Sequence, residues 1–329
     1  MTVVTLAQSI NQVLDQALEV RSDVVLIGED IGRLGGLFRV TDGLLAKYGN
    51  QRVIETPVSA SAMVGAAFGM AVGGLRPVVE VQSMGFSYAA LGQIIGHVGR
   101  IRSRSRHRFS APMVIRIPYG AGTGGGDLHS DSAEALFTHV PGLKVVAPSR
   151  PHDAKGLMMA AVEDPDPVVV LEPVRLYRTV KEEVPDELFQ VPIGKARVER
   201  EGSDVTLISY GAMMRETRDA ADNLERDGIS AGVVDLRSLV PLDIEGVSES
   251  VNRTGRAVVV AEEQRTSGFA GEIVARIQEE CFSNLKGRVA RVTGLDASVP
   301  LRRNQDVYLP SVTQIIDSVR RLLESGEEG

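Results

Sequence analysis

The sequence predicts an α/β protein of two doubly wound domains, and three observations carry that expectation. Short, unbroken apolar runs alternate with segments of helical spacing along most of the chain, the pattern of parallel strands covered on both faces. The 329 residues exceed a single domain of about 150 residues. Between Pro173 and Ser203 the apolar pattern gives way to charged residues, and Pro185 and Pro192 interrupt any helix there. The expected division is a first domain over 1–173, a linker over 174–202 and a second domain over 203–329.

The elements follow in order. Leu6, Ile10, Val13, Leu14, Ala17 and Leu18 recur at helical spacing, and the apolar run Val24–Ile27, stopped by Gly28, reads as a buried strand. The alternation continues with a strand at 52–54, a helix at 62–72, a strand at 77–81 and one long helix at 88–102. Strands at 113–117, 143–147 and 168–171, with helices at 133–139 and 153–162 between them, complete the first series. The second series has strands at 205–209, 232–234, 257–261 and 289–293, helices near 217–226, 244–251, 271–281 and 312–323, and a polar tail from Glu324 to Gly329.

Composition narrows the function. With 43% hydrophobic and 24% charged residues the chain is an ordinary globular one rather than a disordered one. No apolar run approaches the roughly 18 residues of a membrane span, and Met-Thr-Val-Val-Thr at the start carries no basic region, so a cytoplasmic location without membrane association is expected. The single cysteine, Cys281, forms neither an internal disulfide nor a multi-thiolate metal site and is expected to be packing in a reducing compartment. A net charge of -7 argues against a general nucleic-acid binder, leaving small molecules and proteins as partners. The basic run Arg100, Arg102, Arg104, Arg106, His107 and Arg108 is read as a solvated helix end or a contact with an acidic partner subunit.

In open α/β sheets ligands bind beyond the carboxyl ends of the strands. The residues there are Glu29 and Asp30, Glu55 to Pro57, Gln82 to Phe86, and the stretch Gly120-Ala-Gly-Thr-Gly-Gly-Gly126 followed by Asp127, Leu128 and His129. Bare glycine backbone can approach a ligand and aim His129 at it; a flexible crossover with a surface histidine is the alternative. The loop matches neither a dinucleotide fingerprint nor a Gly-Lys-Ser/Thr phosphate loop, and no His-Glu-x-x-His or paired-cysteine site exists, so no metal ligand set is assigned to this chain. His139 and His152 are read as structural.

Over nearly its whole length the chain resembles the β subunits of thiamine-diphosphate-dependent 2-oxo acid dehydrogenases, the pyruvate and branched-chain complexes, whose fold is transketolase-like. The segments that carry the resemblance are Leu26-Ile-Gly-Glu-Asp30, Arg52-Val-Ile-Glu-Thr-Pro-Val-Ser59, His129-Ser130, His139 to Ser149, Asp164-Pro-Asp-Pro167 and Glu172-Pro173. In the second half Val234-Asp-Leu-Arg237, Gly268-Phe-Ala-Gly-Glu272 and Gln278 to Phe282 continue it. Phe86-Ser-Tyr88, Glu172 to Arg178 and Gln278 to Phe282 look more like the branched-chain type.

The resemblance implies a transketolase-like pyrimidine-binding domain followed by a C-terminal transketolase-like domain. It implies an α2β2 heterotetramer with thiamine diphosphate at the α/β interface, the α subunit holding the diphosphate through Mg²⁺ on a Gly-Asp-Gly segment. This chain contains no Gly-Asp-Gly. A lipoyl-bearing acyltransferase or another carrier is the implied acceptor. On this chain the implied cofactor-binding positions are Glu29, Ala60, Gln82, Phe86 and Tyr88, with His129 on the substrate side as the catalytic residue.

The same resemblance exposes departures. The family uses a β-subunit glutamate on N1′ of the aminopyrimidine, at the residue after Thr-Pro-x-Ser, to favour the tautomer that takes the proton from the thiazolium C2. Here the segment is Thr56-Pro57-Val58-Ser59-Ala60, and alternation along it aims Glu55 elsewhere. Ala60 is compatible with an introduced substitution, with a natural subunit whose chemistry tolerates the loss, and with an impaired subunit kept for assembly; a specialised two-carbon or acyl transferase is a further reading of the whole chain. His129-Ser130-Asp131 stands where the family commonly has His-Ser-Gln, and Gly92-Gln93 where it has Asp-Gln.

Overall fold

The computed structural model describes residues 1–301 and 304–324. Strand β1 (Thr2–Thr5) precedes a helix over Leu6–Val20, whose start is set by a capping box: Thr5 and Gln8 each accept from the other's backbone N–H. That helix buries Leu6, Ile10, Val13, Leu14 and Ala17 in one core with residues of the helix Pro151–Glu163.

The first sheet contains β2 (Val24–Gly28), β3 (Val53–Glu55), β4 (Arg76–Glu80), β5 (Val114–Tyr119), β6 (Lys144–Val146) and β7 (Val168–Pro173). The second contains β9 (Arg197–Arg200), β10 (Val205–Ser209), β11 (Ala231–Asp235), β13 (Ala257–Gln264) and β14 (Ala290–Gly294). Their orders are β12-β6-β7-β5-β4-β2-β3, where β12 is Ser238–Val240, and β14-β13-β10-β11-β9. All pairs are parallel except those of the edge strands β12 and β9. Every residue of β2, β5, β7, β10 and β11 is buried, which is why these strands read as largely apolar runs. This is the two-part, transketolase-like α/β architecture that the sequence predicts.

Three features differ from local expectation. The segment expected as one helix over 88–102 is four short pieces, Tyr88–Ala90, Leu91–Gly96, Val98–Arg100 and Ile101–Arg104, with a break at His97 (φ -125°, ψ -60°). Gly92, Gly96 and Gly99 lower its helix propensity, and Gly99 packs tightly under Val140 and Pro141. Within 174–202 the chain forms β8 (Lys181–Val184), antiparallel to β1, and β9. β12 follows β11 but joins the first sheet beside β6, so the second half of the chain completes the first sheet. The tail beyond Glu324 lies outside the described residues.

The two halves meet closely. At Gly211, with φ of +54°, an added Cβ would collide with the Tyr119 hydroxyl, so only glycine lets the turn after β10 approach the end of β5. Ser149 donates to Asp235 (2.5 Å), and Arg237 bonds Asp153 (3.0 Å), further ties across the same junction. Cys281 and the residues around Tyr210 belong to a core that runs through both halves.

Candidate active site

Strands β5, β4, β2 and β3 are consecutive neighbours, so their carboxyl ends form one continuous edge. Glu29 follows β2, Gln82 follows β4, Ala60 follows β3 through Thr56-Pro57-Val58-Ser59, and the glycine-rich loop follows β5. The loop leads into the short helix Asp127–Ser130 that carries His129.

Gln82 and His129 line one cavity of about 350 Å³ together with Leu37, Phe38, Ser83 and Pro118. Phe86, in the turn Met84–Ser87, meets the His129 ring edge-on with centroids 5.2 Å apart. Ser83 donates to the Leu128 carbonyl (3.2 Å), tying the His129 helix to the end of β4. Tyr88 donates its hydroxyl to Asp131 (2.7 Å), two residues beyond His129, and burial pushes the carboxyl of Asp131 above the usual range. Gln82 also reaches Asp30 at 3.4 Å, and burial followed by the neighbouring Asp30 raises the Glu29 carboxyl.

Ala60 is the first residue of the helix Ala60–Val72 and is buried in the apolar cluster against which Phe86 and Tyr88 pack. Glu55 is exposed, and its Oε2 accepts from the Arg33 N–H (3.2 Å). The structure thus gathers Gln82, Phe86 and His129, links Tyr88 to them through Asp131, and buries Ala60 in the core cluster that Phe86 and Tyr88 also border. Glu29 shares the strand edge, without a bond to the His129 loop.

Behind the loop lies a buried acidic group. Glu134 has no solvent exposure, and among the described residues neither of its side-chain oxygens has a hydrogen-bond partner. Burial, then Glu263, pushes its carboxyl well above the ordinary range. Burial likewise raises Glu262 and Glu263, at the end of β13. A carboxyl whose folded pKa is raised keeps a proton that the unfolded chain has lost. Its contribution to stability therefore falls as pH rises from the unfolded carboxylate range toward the folded value. Glu134→Gln should weaken that decline: as pH rises above the ordinary carboxylate range its melting midpoint should fall less than that of the unaltered protein. Parallel declines in the two proteins would refute the protonated state. Among the described residues no group of three or more His, Cys, Asp or Glu is arranged to hold a metal ion.

Two family models match the chain: the transketolase pyrimidine binding domain over residues 3–180 and the transketolase C-terminal domain over residues 194–315. A solved structure titled "Split gene transketolase, inactive beta4 tetramer" superposes with a TM-score of 0.80, covering 98% of both chains at 21% identity, a likeness of fold. The two family models and the fold define a transketolase-like protein of the thiamine-diphosphate-dependent kind. The pyruvate dehydrogenase E1 component subunit beta of Acholeplasma laidlawii is 45% identical over 325 residues, 99% of each chain. Its counterpart in Bacillus subtilis strain 168 is 44% identical over 324 residues, 98% of this chain and all of that one. The chain belongs to the family of β subunits of thiamine-diphosphate-dependent 2-oxo acid dehydrogenases.

The residues present fit this cofactor in part. A cavity with an apolar wall from Leu37 and Phe38, and polar groups from Gln82, Ser83 and His129, suits a flat heterocycle with polar edges. The carboxylate implied for N1′ does not fit: Ala60 supplies none, and Glu55 is engaged by Arg33. Sequence reasoning missed Leu37 and Phe38, which lie in a loop of ordinary composition.

Proposed function

We propose that this chain is the β half of an α2β2 first component that decarboxylates a short 2-oxo acid and passes the acyl group to a lipoyl-bearing acyltransferase. Full-length similarity to pyruvate dehydrogenase β subunits is the observation that carries this reading. When bound, thiamine diphosphate would supply the electron sink for decarboxylation. Gln82 and the Phe38 side of the cavity would bind and orient its ring, and His129, held edge-on by Phe86, would face the substrate and exchange protons with it. In this reading the diphosphate and Mg²⁺ fall to the α subunit, because the chain carries no Gly-Asp-Gly segment. The second domain would serve assembly and carrier docking.

Ala60 favours a second reading, in which the assembly either turns over poorly or transfers a two-carbon or acyl unit to a different carrier. Steady-state decarboxylation of pyruvate and branched 2-oxo acids by the α/β assembly, with Ala60→Glu measured beside it, separates the two. Turnover by the unaltered assembly with acyl transfer to lipoamide supports the first reading. No thiamine-dependent turnover in either protein removes the enzyme reading altogether.

The split site has a binding consequence. Titration calorimetry should show the chain alone binding thiamine diphosphate at least about a hundredfold more weakly than the α/β assembly, equivalent to about 2.7 kcal/mol. Addition of Mg²⁺ should tighten only the assembly. Equally tight binding by the isolated chain would contradict the division of ligands.

A further inference from the structure

We infer that Gln305 is a positioning residue for the His129 loop, so that the second domain shapes the catalytic face of the first. Its consequence for catalysis rests on the function proposed above; the clamp itself rests on geometry.

The loop between β5 and the His129 helix presents a strip of backbone polar groups that lies outside the strand ladders of both sheets. Gly122 and Gly124 have φ of +96° and +82°, conformations that turn their N–H groups to the same side. Both N–H groups donate to one acceptor, Oε1 of Gln305, at 2.9 and 3.2 Å. The amide nitrogen of the same side chain donates to the Gly125 carbonyl at 3.1 Å and to the Pro300 carbonyl at 3.1 Å. Gln305 lies 180 or more residues away along the chain, opens the short helix Gln305–Tyr308, and is 2% exposed. One residue upstream in the loop, the Ala121 N–H donates to the carboxylate of Glu262, also from the second domain.

The chemistry of this strip selects the residue. Two donors followed by an acceptor need an acceptor and a donor on one planar group, which among side chains of this length the glutamine amide supplies. Alanine would leave the Gly122 and Gly124 N–H groups and the Gly125 carbonyl without this partner in a partly buried place. Glutamate would keep the acceptor and lose the donor. The Gly125 carbonyl retains its bond from Ser130 (3.2 Å), and the His129 N–H donates to the Gly126 carbonyl (3.0 Å), so the loop passes its position directly to the histidine. Without the second-domain contacts, a run of five glycines within seven residues has too much backbone freedom to hold one histidine position.

Residue-resolved amide hydrogen exchange on the α/β assembly tests the clamp, with Gln305→Ala and Gln305→Glu compared with the unaltered chain. In Gln305→Ala the Gly122 and Gly124 amides should exchange at least about tenfold faster, the loss expected for about 1.4 kcal/mol of protection, while β5 amides keep their rates. In Gln305→Glu those two amides should stay protected, because the acceptor remains. A rise common to β5 and the loop, unchanged rates at both glycines in Gln305→Ala, or equal loss in Gln305→Glu would each overturn the inference. Should Gln305→Ala fail to assemble, retained protection in Gln305→Glu together with faster exchange in Gln305→Met carries the same decision. Steady-state kinetics gives the separate readout for catalysis: a fall in kcat with melting unchanged follows from a displaced His129. Exchange that changes as expected in an assembly without 2-oxo acid turnover would refute the proposed function and leave the clamp standing.

Discussion

Arg116→Met should cost about 3–5 kcal/mol of stability, read as a lowered urea midpoint of the chain, because it strands two carboxylates in the core. Arg116 in β5 is 1% exposed. Its Nε and Nη2 donate to the two oxygens of Glu172 at 2.7 and 2.9 Å, and its Nη1 donates to Glu80 at 2.6 Å. The Tyr177 hydroxyl adds a bond to Glu172 at 2.5 Å. Burial opposes the charge on Glu80 and raises its carboxyl, with Arg116 working against that shift. Methionine fills much of the volume while removing every donor, so the penalty is electrostatic rather than a cavity. The triple variant Glu80→Gln, Arg116→Met and Glu172→Gln should recover most of the loss, since a buried ion group adds little over a neutral one of similar shape. A single-variant cost below about 1 kcal/mol would mean that water already reaches the carboxylates.

Ala60→Glu should speed hydrogen–deuterium exchange at C2 of thiamine diphosphate bound to the α/β assembly by about a hundredfold, about 2.7 kcal/mol of barrier. The change is made at the end of a helix that can receive a negative charge. Ala60 opens a helix whose preceding residue, Ser59, makes no side-chain cap bond, so a carboxylate there meets unpaired N–H groups and the positive end of the helix. Circular dichroism and cofactor titration of both assemblies should show the fold and cofactor binding retained, so that the exchange rate reports the chemistry. Acid quenching followed by NMR of the thiazolium proton measures the rate. An unchanged rate would show that another group already fulfils the role of the missing glutamate, and would move the function toward the specialised transferase.

Much of the candidate site was legible because its placement follows from one rule. Glu29, Gln82 and the glycine-rich loop stand directly after apolar runs, and parallel strands deliver such residues to a common edge. Phe86, Tyr88 and Ala60 needed the family resemblance, since nothing in their local spacing marks them. The helix expected over 88–102 failed where glycines interrupt the backbone, and a hydrophobic pattern alone does not report such breaks. β8 escaped notice because Lys181 to Val184 is a charged edge strand, stabilised by pairing with Thr2 to Thr5 far away in the chain.

The sequence by itself determined the two α/β series, the strand ends that carry the candidate site, the family, and the alanine in place of a carboxylate. Each is written in local periodicity or in residue identity. The tertiary structure decided what periodicity does not encode: that β12 crosses to the first sheet, that Glu134 is sealed without a partner among the described residues, and that Gln305 reaches back to the His129 loop. These depend on contacts between residues far apart in the chain, where the partner of a buried polar group is set by packing.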